Sequence, residues 1–475
     1  MAMALAALCI APLAAKKAKA PEGLGHIQAA SPAPEWLDSA VIYEANLRQG
    51  TPTRDFKGLQ RELPRLRDLG VDVVWLMPIH PISKEQRKGR LGSYYAVQDY
   101  KEVNPEFGTL EDLKELVRTA HTLGMKVILD EVCNHTGADH AWVTEHPEYY
   151  ARNEKGEMYG PYDWTDVKKL DYTNPQTREA MADALLFWVK DADIDGYRCD
   201  VAGEVLTDFW EEVRPKLQAV KPVLMLAEAD KPELLLNAFD LDYAWPMKDV
   251  FVSIAATKGV NEWAKAKGEK RPEMNAQNIP ALIEKQKKQY PRGAVHMNMI
   301  TNHDLNSWEG TEFERFGPGV GAFAVLSYTL PGVPMMYTGQ EVGFNHAFEF
   351  FDVDPSMPNP CANEFTAFYE QLNALKHGNK ALGAHQPAEL TTFYEASNPD
   401  ILTFSRFADN GQQVTVIANL SSDEVTVDYP AKGGKDTKGK TSGAPEVAGT
   451  VNYFTQTPGA IPTTLAPWQY VVLVK

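Results

Sequence analysis

Apolar positions along the first two thirds of the chain alternate between two rhythms. From Phe56 to Leu69, the residues Leu59, Leu63, Leu66 and Leu69 recur at the spacing of one helix face, and Gly70 follows where a left-handed cap ends a helix. A nearly all-apolar run, Val71 to Met77, comes next. The phrase then repeats. Thr109 and Asp112 make a capping-box start, Leu113, Leu116, Val117 and Ala120 carry the stripe, Gly124 stops it, and Met125 to Asp130 is an apolar run again. Helix, Leu-Gly and then a continuous apolar strand is the signature of a parallel sheet covered on both faces. Further strands are predicted at Val41–Tyr43, Ile194–Asp200, Val223–Glu228, Phe239–Tyr243, His296–Thr301 and Gly332–Tyr337. The total of about eight suits a closed (β/α)8 barrel, the TIM-barrel class of α/β fold. An open doubly wound sheet is the alternative, but no glycine-rich phosphate loop follows the first strand.

Two stretches leave this rhythm. Asn134 to Tyr172 is polar and aromatic, with Trp142, Tyr149, Tyr150, Tyr159, Tyr162 and Trp164, and shows little periodicity. Long loops in compact domains are usually functional, so a small subdomain is expected over the barrel mouth after the third strand. From His385 onward, Leu390–Glu395, Ile401–Phe407, Gln413–Asn419, Glu424–Tyr429 and Trp468–Lys475 alternate like half-buried antiparallel strands, with turn residues between them. The expected organisation is a barrel over 36–384 with an insertion at 134–172, then a C-terminal antiparallel β domain of sandwich type over 385–475. Lys432 to Ala444, rich in Gly and Lys, reads as a loop.

Charge narrows the partners. A formal net charge of −17 argues against nucleic acid and anionic membrane surfaces, both of which select basic patches. Met1 to Ala20 holds an apolar run too short to span a bilayer but suited to the core of an export signal, so a periplasmic or extracellular location is expected. Leu8 stands where lipidation of Cys9 would need a small residue, so lipid anchoring is not expected, nor is membrane insertion. Cys133, Cys199 and Cys361 show no metal-ligand spacing, and the first two sit in apolar runs as small buried hydrophobes.

Candidate chemistry gathers where a parallel barrel places it, at the C-terminal ends of strands. Those ends read Asp130-Glu131-Val132-Cys133-Asn134-His135, Arg198-Cys199-Asp200, Glu228 and Asn302-His303-Asp304. Each has a bland reading taken singly: a structural ion pair, a solvated Glu, a turn, a helix cap. Together they bring carboxylates and histidines to one rim. Period-two alternation puts Arg198 and Asp200 on one face, and a fixed guanidinium is expected to keep Asp200 ionised, as a carboxylate nucleophile must be. Crowded carboxylates also split their pKa values, which is the equipment for glycoside hydrolysis by one acid and one nucleophile.

These four stretches resemble, in order, the four short regions that mark the α-amylase family of glycoside hydrolases and transglycosidases. Gly92 to Tyr100 with Val103 to Thr109, and Pro331 to Pro334 with Tyr337 to Glu341, are similar to the family as well. The resemblance implies Asp200 as nucleophile, Glu228 as acid and base, and Asp304 as the group holding the ring hydroxyls. It implies that Arg198 aims Asp200, that His135, His303 and Asn302 lie at the sugar, and that Tyr95 stacks on it. An α-glucan or oligosaccharide is the expected substrate, with no organic cofactor. Many α-amylases continue the second region into Lys-His; here Gly203-Glu204 stands there, and Val201-Ala202 looks more like the maltogenic-amylase and neopullulanase branch. Asn134 and Asp171 resemble two calcium ligands, and their oxygens are the right chemistry for that ion. The resulting expectation is a retaining hydrolase of α-1,4-glucosidic bonds, endo- or exo-acting. The alternatives are a transglycosidase, a relative acting on α-1,6 bonds, sucrose or trehalose, and a non-catalytic glucan-binding paralogue.

Overall fold

The computed structural model describes residues 23–29, 33–431 and 441–475. The export reading at Met1–Ala20, Cys9 and most of the Lys432–Ala444 loop lie outside them. Eight parallel strands close into a barrel: Ile42–Ala45, Val73–Leu76, Lys126–Glu131, Gly196–Cys199, Leu224–Ala227, Leu241–Tyr243, Val295–Asn298 and Val333–Tyr337. They are called strands one to eight below, and each pairs with its sequence neighbour, strand eight returning to strand one. The first strand begins one residue later than expected and runs on through Glu44 and Ala45.

The helix Phe56–Leu69 has the expected limits, and Gly70 ends it at φ 99°. The Thr109–Asp112 capping box is present at the start of the helix Leu110–Thr122. Position 196, where strand four begins, requires glycine, because a β-carbon there would lie 2.0 Å from the carbonyl oxygen of Leu224. Only glycine lets the two backbones approach this closely.

Alternation sorts each strand into an inward and an outward column. The inward column is one apolar cluster that includes Ile42, Val73, Trp75, Ile128, Leu224, Leu226, Leu241, Tyr243, Val295, Met297, Val333 and Met335, all buried. The outward residues join a second cluster under the helices. Each fully buried aliphatic side chain contributes about 1.5–3 kcal/mol, so the two layers hold the barrel closed. Asp130 pairs in register with Arg198, and Arg198 with Leu226. The inward column of the active half therefore ends in polar side chains just above its last apolar layer.

The insertion after strand three is anchored by a two-stranded antiparallel hairpin, His135–Gly137 with Val167–Lys169. C-terminal to the barrel, Thr391–Tyr394, Ile401–Phe407, Gln413–Asn419, Tyr470–Val474 and Val451–Asn452 form a five-stranded antiparallel sheet. The run expected as a strand over Glu424–Tyr429 shortens to Val425–Thr426 and pairs separately with Thr464–Leu465. The last strand starts at Tyr470 because Trp468 adopts a left-handed backbone at φ 59°. Cys133 and Cys199 are buried free thiols, as their apolar context implies, and Cys361 is exposed. Among the described residues, no helix is long and apolar enough to cross a membrane.

Candidate active site

Arg198 is the hub. Fully buried at the end of strand four, its Nη1 donates to Asp130 Oδ1 at 2.7 Å and to Asp200 Oδ1 at 3.0 Å. Its Nε donates to the Tyr243 hydroxyl at 3.1 Å. Nη2 lies 2.8 Å from Glu228 Oε2, a charge contact that lacks hydrogen-bond alignment. The rings of Trp75, Tyr95 and Tyr243 surround it, at 5.2, 5.6 and 5.7 Å from the guanidinium carbon. Glu228 is held a second time, because the backbone N–H of Val201 donates to Oε2 at 2.8 Å. Val201 adopts φ 36°, a left-handed conformation that a β-branched residue rarely takes, and this turns its N–H toward Glu228.

The opposite wall is Tyr95 and His303, whose rings stack at 5.3 Å. The Tyr95 hydroxyl donates to Asp130 Oδ2 at 3.0 Å and lies 2.7 Å from His303 Nε2. His303 Nδ1 is bonded to Glu44 Oε1, and its backbone N–H donates to Glu44 Oε2 at 3.2 Å. Asp304 is partly exposed, 3.4 Å from His303 Nε2. A cleft of about 380 Å³ joins Tyr95, His135, Asp200, Glu228, His303 and Asp304 with Lys88, Trp164, Asp166, Trp308, Phe350 and Phe351.

Burial sets the electrostatics. Loss of solvent is the largest cause at Asp200 and raises its pKa; Arg198 pulls it down, Asp130 and Asp304 push it up, and the result is about 6. Arg198 lowers the Asp200 pKa as expected, but burial and the neighbouring carboxylates outweigh it, because one guanidinium is divided among three buried carboxylates. Burial also raises Glu228, against Arg198 and with Asp200 and Asp304, to about 7. Asp130 is raised by burial to about 6 despite Arg198 and His303. Burial lowers His303, but Asp304 and Glu44 outweigh it and carry it up to about 9, so its imidazole is cationic at neutral pH. Burial lowers His135 to about 3, which keeps that ring neutral. Burial thus raises both facing carboxylates, and Glu228 stays the higher of the two, as a Glu ordinarily is.

Asn302, expected at the sugar, does not line the cleft. It is fully buried, and its Oδ1 caps the helix His303–Trp308 by accepting from Leu305 N–H at 2.8 Å. The bland reading of Asn-His-Asp as a cap holds for this residue. The calcium pair is adjacent, since Leu170 N–H donates to the Asn134 carbonyl at 3.0 Å. However, Asp171 Oδ1 is committed to the N–H and hydroxyl of Thr173 at 2.9 and 2.7 Å. Calcium takes six to eight oxygens, and among the described residues no group of three His, Cys, Asp or Glu side chains is placed to hold a metal. Glu44 and Tyr243 were not anticipated. Glu44 had a signal, an acidic residue closing the apolar run Val41-Ile42-Tyr43; Tyr243 reads in sequence as ordinary core.

The family model for the alpha-amylase catalytic domain matches residues 41–162 and 150–374. Alpha-amylase MalA of Haloarcula japonica is 25% identical over 417 residues, covering 84% of this chain and 58% of that protein. The chain therefore spans less than two thirds of that relative's length. Neopullulanase 2 of Thermoactinomyces vulgaris is 26% identical over 510 residues, covering 93% of this chain and 78% of that protein. The crystal structure of an alpha-amylase from Lactobacillus plantarum aligns with a TM-score of 0.76 at 29% identity, over 93% of this chain and 100% of that one. The family match runs through every strand end that carries Asp130, Arg198, Asp200, Glu228 and Asp304, and the chain belongs to the alpha-amylase family of glycoside hydrolases.

Proposed function

We propose that the protein is a retaining hydrolase of α-1,4-glucosidic bonds in starch-derived glucans or malto-oligosaccharides. The observation that carries this reading is the single guanidinium of Arg198 held between Asp200 at 3.0 Å and Glu228 at 2.8 Å. Carboxylates on the two nitrogens of one guanidinium are near neighbours, an arrangement compatible with the short spacing of a retaining pair (~5–5.5 Å).

The roles follow from environment. Asp200, which accepts an aligned hydrogen bond from Arg198 Nη1, attacks the anomeric carbon; Glu228, raised by burial and without an aligned bond from the guanidinium, gives its proton to the departing oxygen. A covalent glycosyl ester forms at Asp200 as the glycosidic bond breaks. Glu228 then takes a proton from water, whose oxygen attacks the same carbon and frees Asp200. Asp304 and the imidazolium of His303 face the ring hydroxyls, and Tyr95 offers its face to the ring. The relatives named amylase and neopullulanase support the substrate class.

The test is a time course of products from soluble starch and maltoheptaose, with the anomer read by proton NMR. Early α-anomeric products are expected, whereas early β-anomeric products would overturn the double displacement. Longer oligosaccharides accumulating at high substrate would assign the glycosyl transfer to sugar instead of water. The pH profile is a second check. Activity needs Asp200 ionised and Glu228 protonated, so kcat/KM should fall below about 6 and above about 7, with both limbs belonging to the facing cluster. A flat profile from pH 5 to pH 9 would contradict these assignments.

A further inference from the structure

We propose that Glu44 is a positioning residue for the reaction, which holds His303 as a two-sided hydrogen-bond donor through an unbroken relay from strand one to Arg198. This rests on the hydrolase reading above and assigns one more residue to it. Glu44 closes strand one, away from the short stretches that resemble the α-amylase family. Register pairs it with Trp75, and Ile42 two residues earlier faces inward, so its side chain enters the barrel interior. There it is fully buried, and among the described residues His303 is its only ionic partner. A carboxylate in such surroundings needs a partner that carries the opposite charge or supplies a proton.

Both oxygens of Glu44 are committed to one residue. Oε1 is bonded to His303 Nδ1, and Oε2 accepts from the His303 backbone N–H at 3.2 Å. The Glu44 carbonyl is tied as well, accepting from the Thr338 N–H at 3.0 Å and the Thr338 hydroxyl at 2.9 Å. The relay then has three contacts: Glu44 with Nδ1, Nε2 with the Tyr95 hydroxyl at 2.7 Å, and that hydroxyl with Asp130 Oδ2 at 3.0 Å. Each contact needs one proton. Tyr95 supplies one, to Asp130, so with both carboxylates ionised the other two sit on the imidazole. A neutral ring would leave one contact without a proton.

The surroundings agree with this proton count. Asp130 also accepts from Arg198 Nη1 at 2.7 Å and Trp75 Nε1 at 3.3 Å, donors that favour its ionised form. Burial is the largest influence on the His303 ring and disfavours the cation; Asp304, 3.4 Å from Nε2, and Glu44 outweigh it, while Arg198 opposes them. Removing the Glu44 charge lets the ring lose a proton in the working pH range. The Tyr95 hydroxyl must then serve His303 or Asp130 but not both. The change reaches the nucleophile, because Asp130 and Asp200 share Nη1 of Arg198.

The experiment joins kinetics on maltoheptaose to nitrogen NMR of the full chain labelled with 15N-histidine, His303 being identified by the signals lost in His303→Gln. In wild type both ring nitrogens of His303 should stay protonated from about pH 5.5 to about pH 8, whereas in Glu44→Gln one should lose its proton within that range. Relative to wild type, kcat/KM of Glu44→Gln should be down about threefold at the acid end and about thirtyfold at the alkaline end. Glu44→Asp keeps the charge, and its ratio to wild type should not change with pH. In a His303→Gln background, Glu44→Gln should cost less than about twofold more, because it acts through a ring already removed. A Glu44→Gln deficit that is constant with pH, or losses that multiply in the double variant, would reduce Glu44 to packing and overturn the proposal. So would a neutral His303 in wild type at pH 7, a result that needs no variant to fold. A folded wild type that cuts no glucan overturns the hydrolase reading, while the spectrum, which does not depend on turnover, still decides the charge of the relay.

Discussion

Asp200→Asn is expected to reduce turnover on malto-oligosaccharides by at least roughly 10⁴-fold, because removing the nucleophile abolishes the covalent route and leaves only binding and polarisation. The fold should not suffer. Asp200 has a pKa raised by burial to about 6, so the folded state holds its proton more tightly than the unfolded chain does. Such a group favours folding least when ionised: stability falls as pH rises from the unfolded carboxylate value, near 4, through about 6. An uncharged Asn removes that penalty, and the variant should melt no lower than wild type at pH 8. The checks are initial rates and a thermal melt of the same preparation. A correctly folded, active Asp200→Asn enzyme would remove Asp200 from the mechanism.

Arg198→Gln should have the largest effect on stability. The guanidinium touches Asp130, Asp200 and Glu228, and without it three buried carboxylates face one another. Breaking a buried ion pair by removing one partner typically costs about 3–5 kcal/mol, since the remaining charge stays desolvated. The deficit should depend on pH with a defined sign. The carboxylates, already raised, rise further, so the folded variant takes up protons that the unfolded chain does not. The loss is then greatest near pH 8 and shrinks toward pH 5. Melting curves across that range test it; a deficit that does not change with pH would show that Arg198 matters for packing and not for charge. Arg198→Lys should recover little, because a point charge cannot hold three acceptors in the plane of a fork.

Much of this architecture is legible in the sequence because its signals are local. Caps at Gly70 and Thr109 and the eight apolar runs need no tertiary information to read. The strand-end carboxylates are legible because a buried apolar run that stops on Asp or Glu is unusual. What escaped depends on contacts between distant segments. The pKa of Asp200 depends on how many carboxylates share Arg198, and Asn302, expected at the sugar, is buried as a helix cap outside the cleft lining. Glu44 acts through His303, 259 residues away. The strand Val451–Asn452 is two residues long and carries no alternation to detect.

The interior of the barrel beneath Arg198 has a consequence for the proton inventory of the reaction. Trp75 and Tyr243 pack edge-on at 6.4 Å directly under the hub, above the aliphatic layers of the inward column. A barrel filled this way is a plug and not a pore, so no chain of water reaches Glu228 from below. Under the double displacement proposed above, the proton that Glu228 donates to the leaving sugar returns through the cleft mouth, carried by the water that resolves the ester. Each turnover then closes its own proton cycle within the cleft, and a leaving sugar that lingers there delays hydrolysis by blocking the route the proton donor needs.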